Sequence, residues 1–155
     1  MIRQRTMRET DARPLLPSQS ALQAPWNNVS IEQWNNWHWQ LAHRIRSLEA
    51  LQTFMRLTPE EESGIRMAGQ RFRMEITPYF ARLLDPEDPH CPVRRQVIPL
   101  AAEAVTHPSE RVDPCGEEKD SPVPGLVHRY PDRVLLLPTV HCATYCRYCT
   151  RSRIV

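Results

Sequence analysis

The chain has 155 residues, a mass of 18.1 kDa and a formal charge of +2 from 20 basic and 18 acidic side chains, which allows one modest hydrophobic core and gives no general case for nucleic-acid binding. Hydrophobic residues at 41% and charged residues at 25% exclude a disordered tail. No apolar run reaches the length of a membrane span, and MIRQRTMRETDARP lacks the apolar centre of a secretory signal, so no membrane partner and a cytoplasmic location are expected.

Fifteen prolines against 4 glycines predict rigid turns and helix starts rather than flexible linkers. Residues 1–29 read as a polar, proline-punctuated arm. From Ser30 the pattern changes: Ser30 with Gln33 has the spacing of a capping box, and Ile31, Trp34, Trp37, Leu41, Ile45, Leu48 and Leu51 recur at helical intervals. That predicts a long amphipathic helix whose tryptophans pack against a neighbouring element. Thr58, Pro59 and Glu61 supply an N-cap, a first-turn proline and an acidic N3 partner for a second helix with Ile65, Ala68 and Phe72 on its apolar face. A third, shorter helix can start at Thr77 and Pro78, and Pro86, Pro89 and Pro92 predict a rigid turn into another short helix near Val93 to Val97.

Pro108 to Pro131 is irregular and is expected to be an ordered surface loop. Arg133 to Leu137 (RVLLL) has the apolar run of a buried parallel strand and leads into PTVHC, although Pro138 limits its hydrogen bonding. The expected division is therefore an arm at 1–29, a helical domain at 30–107, a proline-rich loop at 108–132 and the start of a barrel at 133–155.

Five cysteines, three of them Cys142, Cys146 and Cys149 at C-x3-C-x2-C, make a poor disulfide framework and point to metal ligation. Three thiolates on one loop can hold three irons of a 4Fe-4S cluster and leave the fourth iron open, whereas structural zinc takes a fourth protein ligand. His141 beside Cys142 keeps zinc as the weaker alternative, since adjacent residues seldom converge on one small ion; inert clustered cysteines are the remaining one. All basic residues but Lys119 are arginine, and Lys119 sits in the acidic run CGEEKD, so a Schiff-base lysine has one poor candidate.

CATYCRYC, with aromatic Tyr148 directly before the last cysteine, resembles the cluster loop of the radical S-adenosylmethionine superfamily. WNNWHWQ at 34–40, ITPYFARLLDPEDPHCPVRRQ at 76–96 and SPVPGLVHRYPDRVLLLPTVHCATYCRYCTRSR at 121–153 are together similar to the lysine 2,3-aminomutase family. The resemblance implies a mainly α N-terminal region followed by the first strand and cluster loop of a truncated radical SAM partial (β/α) barrel. It implies three cofactors: a 4Fe-4S cluster, S-adenosylmethionine and pyridoxal 5'-phosphate. It also implies a 1,2-amino migration on a small amino acid, initiated by a 5'-deoxyadenosyl radical, in an oligomeric full-length protein.

By the same resemblance Cys142, Cys146 and Cys149 are the cluster ligands, Tyr148 packs against the adenine, and Arg151 clamps the substrate carboxylate. Arg129, Tyr130 and Arg133 match positions near the pyridoxal phosphate, where guanidinium forks suit a phosphate. Read without the family, the two arginines pair with the acidic loop or with Asp132; Arg147 and Arg153 are less easily assigned, and either neutralise the cluster surroundings or face acidic groups elsewhere. TVHC departs from a TNQC-like lead, and the family's pyridoxal-binding lysine and distal carboxylates have no match up to Val155, so the chain reads as an N-terminal fragment expected to be inactive alone. Lysine is the first expected substrate, with glutamate, arginine or protein-bound lysine as alternatives. A non-catalytic iron-sulfur or zinc-binding interaction module is a reading of a different class.

Overall fold

The computed structural model of the chain describes residues 25–68 and 73–155; residues 1–24 of the predicted arm, and Phe72, lie outside them. The described elements are helices α1 (Ile31–Trp34), α2 (Trp37–Ala42), α3 (Leu48–Gln52), α4 (Pro59–Ala68) and α5 (Pro78–Ala81), 3-10 turns at Arg94–Gln96, Ala101–Ala104 and Glu118–Asp120, and strands β1 (Leu126–Tyr130) and β2 (Arg133–Leu136). The architecture is mostly helical, with one two-stranded antiparallel sheet among the described residues.

The single long helix expected from Ser30 is instead three short ones. Ser30 and Gln33 form the capping box as expected, with both bonds at 3.2 Å. The helix then stops because Asn36 caps a new one: its Oδ1 accepts from His38 N–H at 2.9 Å and Trp39 N–H at 3.3 Å. Asparagine offers the backbone that alternative more readily than it continues a helix. Ser47 does the same for α3 by accepting from Ala50 N–H at 3.2 Å, while Ile45 between them is drawn into a bridge with Ile76. The spacing still picks the right side chains, since Trp34, Ile45, Leu48 and Leu51 are all buried. Trp37 corrects the packing expectation: it is 63% exposed and, among the described residues, stacks on its neighbour His38.

The second helix begins as predicted. Glu61 accepts from Thr58 N–H at 2.8 Å, and Thr58 Oγ1 accepts from Glu61 N–H at 3.2 Å. Glu61 has a further partner that the capping pattern does not reveal, for Arg94 donates to both its carboxylate oxygens, at 2.8 and 2.6 Å. The guanidinium also reaches the carbonyls of Asp85, Pro86 and Arg56. The proline-rich turn is thus wrapped around one arginine. The core assembles beside it from Ile45, Leu51, Ile65, Ile76, Val97 and Ile98, among others. α4 lies so close to the following segment that a Cβ on Gly64 would fall 2.3 Å from the Pro99 carbonyl oxygen.

RVLLL was expected to be a buried parallel strand. It is antiparallel and all four β2 residues are exposed. Its partner β1 lies inside the stretch expected to be irregular, with Leu126 opposite Leu136 and Tyr130 opposite Arg133. The reason is local: Pro131 and Asp132 connect the strands in a turn too short for the crossover that a parallel pair requires. No described helix is long and apolar enough to cross a membrane.

Candidate functional site

The cysteine loop follows β2 and is fastened to the helical region through its backbone. Tyr145 N–H donates to the Glu75 carbonyl at 3.0 Å and Arg147 N–H to the Gln96 carbonyl at 2.7 Å. Thr144 bridges Ile76, which in turn bridges Ile45, so three distant segments lie side by side. Tyr145 is buried in this join. Arg44 closes it from the helical side, donating to the Cys142 carbonyl at 2.9 Å with its NH1 2.5 Å from Glu75 Oε2.

Cys142, Cys146 and Cys149 are free and half-buried. The Cys142 thiol points to the Thr144 carbonyl at 3.1 Å, and Cys149 N–H donates to the Cys146 carbonyl at 3.3 Å. Burial, followed by the charge that Cys149 and then Cys142 would carry, pushes the Cys146 thiol above its ordinary range. Crowded thiols resist ionising together, and a bound cation reverses that penalty. In donor type and spacing the loop fits an iron-sulfur cluster with one open iron. Among the described residues no three His, Cys, Asp or Glu side chains are gathered closely enough to hold a metal ion. Ligation by all three thiols therefore requires them to turn toward one another, with Cys142 giving up its contact with the Thr144 carbonyl. The same holds for zinc with exposed His141.

Tyr148 presents a ring that is 68% exposed, with its hydroxyl donating to Gln96 Oε1 at 3.2 Å. A polar cavity of about 440 Å³ opens beside Cys146 and Cys149, walled also by Glu103, Glu110 and Arg153. A larger apolar cleft of about 720 Å³ lies between Trp34, Trp37 and Tyr79 and the lead into the cysteines at Thr139 and His141.

The arginines predicted for substrate and cofactor are all engaged within the chain. Arg151 donates to both carboxylate oxygens of buried Glu117, at 2.6 and 3.2 Å, and that bond raises its pKa above the ordinary arginine value. Arg129 donates to Asp120 at 2.7 Å and to the carbonyls of Cys115 and Gly116, and the Asp120 bond raises it likewise. Arg133 pairs with Asp132 at 3.2 Å on the surface and lies over the Tyr130 ring at 5.1 Å. Arg147 bonds Glu103 at 2.8 Å, and Arg153 reaches Asp113 and Glu118 at 3.2 Å. The acidic run is therefore the counterpart of the arginine-rich cysteine loop. Lys119 is exposed on it.

Four further residues complete this arrangement: Gln96 at the end of the 76–96 segment and Glu117 in CGEEKD, neither of which carried a predicted role, and Glu103 and Arg44, which lie in no motif. The available signal was charge: an acidic segment and an arginine-rich segment in one chain that is otherwise close to neutral.

No family model matches the chain. It is 51% identical over 128 residues to the L-lysine 2,3-aminomutase of Bacillus subtilis (strain 168), a match covering 83% of this chain and 27% of that protein. It is 52% identical over 128 residues to the L-lysine 2,3-aminomutase of Acetoanaerobium sticklandii, with 83% and 31% covered. The chain belongs to the lysine 2,3-aminomutase family. The glutamate 2,3-aminomutase of Clostridioides difficile (strain 630) is also similar, at 40% over 126 residues, covering 81% of this chain and 30% of that protein. This lysine 2,3-aminomutase family chain spans 27–31% of the length of these relatives.

Proposed function

We propose that the chain is the cluster-bearing part of a radical S-adenosylmethionine aminomutase, in which Cys142, Cys146 and Cys149 hold a 4Fe-4S cluster and Tyr148 meets the adenine of S-adenosylmethionine. The observation that carries this is three free thiols at C-x3-C-x2-C on a loop fixed by its backbone, with an exposed tyrosine ring directly before the last. When bound and reduced, such a cluster supplies the electron that cleaves S-adenosylmethionine to a radical able to take an unactivated hydrogen. The chain's own contribution is placement. Glu75 and Gln96 carbonyls set the loop, Arg44 holds the Cys142 carbonyl, and the cavity beside Cys146 and Cys149 carries both charge signs for a zwitterionic ligand.

Arg151 reaches a substrate carboxylate by exchanging it for Glu117, which already presents the same two-oxygen geometry. Around Arg129, Tyr130 and Arg133 a pyridoxal phosphate would have to displace Asp120 and Asp132 from the two arginines, and exposed Lys119 belongs to the acidic loop. Use of that cofactor is proposed for the whole protein on family grounds alone. The proposed substrate is a small amino acid, lysine first because the relatives at 51% and 52% identity are lysine enzymes, with glutamate next. The four segments at 1–29, 30–107, 108–132 and 133–155 are proposed as parts with separate roles. Bonds such as Arg44 to Cys142 and Glu103 to Arg147 join them. A partial barrel, an oligomeric enzyme and a cytoplasmic location complete the proposal.

Anaerobic iron and sulfide analysis with EPR of the reduced chain tests it. About four irons and four sulfides per chain, and a signal altered by S-adenosylmethionine, support the reading. About one zinc per chain would instead make it a structural module, and no metal would leave an interaction domain. With the cluster loaded and pyridoxal phosphate, S-adenosylmethionine and reductant added, the 155-residue chain is expected to show no sustained conversion of lysine to β-lysine. Sustained turnover would overturn the inactivity of the chain alone.

A further inference from the structure

Tyr148 is 68% exposed, so packing does not fix its ring. Its direction is set by a bond of its own hydroxyl and by a bond of the residue before it, both to Gln96. The Tyr148 hydroxyl donates to Gln96 Oε1 at 3.2 Å, and the backbone N–H of Arg147 donates to the Gln96 carbonyl at 2.7 Å. Gln96 therefore holds the loop at two successive positions, one through its side chain and one through its backbone.

Gln96 is itself well anchored. It ends the 3-10 turn Arg94–Gln96, and its N–H donates to the Val93 carbonyl at 3.2 Å. The turn starts at Arg94, which is 0% exposed and bonded to Glu61 and to the carbonyls of Asp85, Pro86 and Arg56. The loop side is steadied by the Arg147 guanidinium on Glu103 at 2.8 Å. A continuous line of bonds thus runs from a buried ion pair to an exposed aromatic ring. A side chain that must offer one face to a flat base loses rotamer freedom on binding, and restraint in advance lowers that cost.

We propose that Gln96 is a positioning residue that sets the ring of Tyr148 to receive the adenine of S-adenosylmethionine, a role that rests on the cluster reading above. The variants are Gln96→Met, which keeps length and removes the acceptor, Tyr148→Phe, their double, and Gln96→Glu, which restores an acceptor. In the anaerobically loaded 155-residue chain, titration of the reduced EPR signal with S-adenosylmethionine gives the affinity. Gln96→Met and Tyr148→Phe are each expected to weaken it about 2- to 10-fold, the double no more than either, and Gln96→Glu close to the unmodified chain, with iron content unchanged throughout. Equal affinity in all four, or additive losses in the double, would overturn the role of Gln96 while leaving the cluster reading intact. A loaded chain that ignores S-adenosylmethionine would overturn both. The contact has its own readout in the metal-free chain: a tyrosine hydrogen-bond difference between the unmodified and Gln96→Met chains in ultraviolet resonance Raman, expected to vanish in a Tyr148→Phe background. Absence of that difference refutes the contact whether or not metal is taken up.

Discussion

Replacing Arg94 by Met tests whether one buried arginine holds the proline-rich turn in place. Arg94 is 0% exposed and Glu61 3%, and their two bonds at 2.8 and 2.6 Å satisfy both carboxylate oxygens. The other three bonds run to carbonyls of Asp85, Pro86 and Arg56, all exposed residues whose carbonyls can turn to water at little cost. Glu61 has no such recourse, since among the described residues only Thr58 N–H remains to it, at 2.8 Å. An uncompensated buried carboxylate costs about 3–5 kcal/mol, a large share of the roughly 5–15 kcal/mol that holds an ordinary domain together. Urea unfolding followed by tryptophan fluorescence is expected to show Arg94→Met losing that amount. A Glu61→Gln/Arg94→Met double should recover part of it, because Gln keeps the acceptor for Thr58 and removes the stranded charge. A single variant within about 1 kcal/mol of the unmodified chain, or a double as unstable as Arg94→Met, would refute the argument that a lone buried charge sets the cost.

Gly64→Ala gains intrinsic helix propensity of about 1 kcal/mol, yet its Cβ would land 2.3 Å from Pro99 O and 2.6 Å from Leu100, so a net loss of about 1–3 kcal/mol is expected; a raised melting temperature would show that α4 does not approach this segment. Asn36→Ala removes the cap that separates α1 from α2 and should cost about 0.5–2 kcal/mol, measured by the same urea unfolding; an unchanged midpoint would mean that the cap is idle. Asp113 is held below the ordinary carboxylate range, first by the Glu118 N–H and further by Arg153. A folded-state pKa lowered in this way contributes stability that is present above the unfolded value of about 3.9 and is lost as pH falls through the folded one. Asp113→Asn should therefore flatten the loss of thermal stability between neutral pH and about pH 3, relative to a chain in which Asp85, held low by its own backbone bonds, titrates equally in both. Parallel curves would dismiss Asp113 as a contributor.

The fold was legible where a local signal decides it. Ser30 with Gln33, Thr58 with Glu61 and Thr77 with Pro78 each start a helix as their chemistry predicts. Burial at Trp34, Ile45, Leu48 and Leu51 also follows from spacing. What spacing could not supply was continuity, because Asn36 and Ser47 caps divide what periodicity joins. Nor did the apolar content of RVLLL reveal its neighbour. A strand's partner depends on what the chain can bring alongside, and the Pro131–Asp132 connection brought β1 first.

The site divides in the same way. Cys142, Cys146, Cys149 and Tyr148 are close in sequence and so could be found there, whereas the side chains that tie their loop to the rest of the fold, Arg44, Gln96, Glu103 and Glu117, come from far along the chain. The arginines illustrate why a residue's type does not fix its duty. Arg151 and Arg129 carry forks suited to a carboxylate or phosphate, and here those forks close on Glu117 and Asp120. An incoming anion must therefore displace a carboxylate of similar shape and charge. If Arg151 takes a substrate carboxylate as proposed, its affinity would be a difference between two bidentate pairs, and buried Glu117 would determine it as much as the arginine itself.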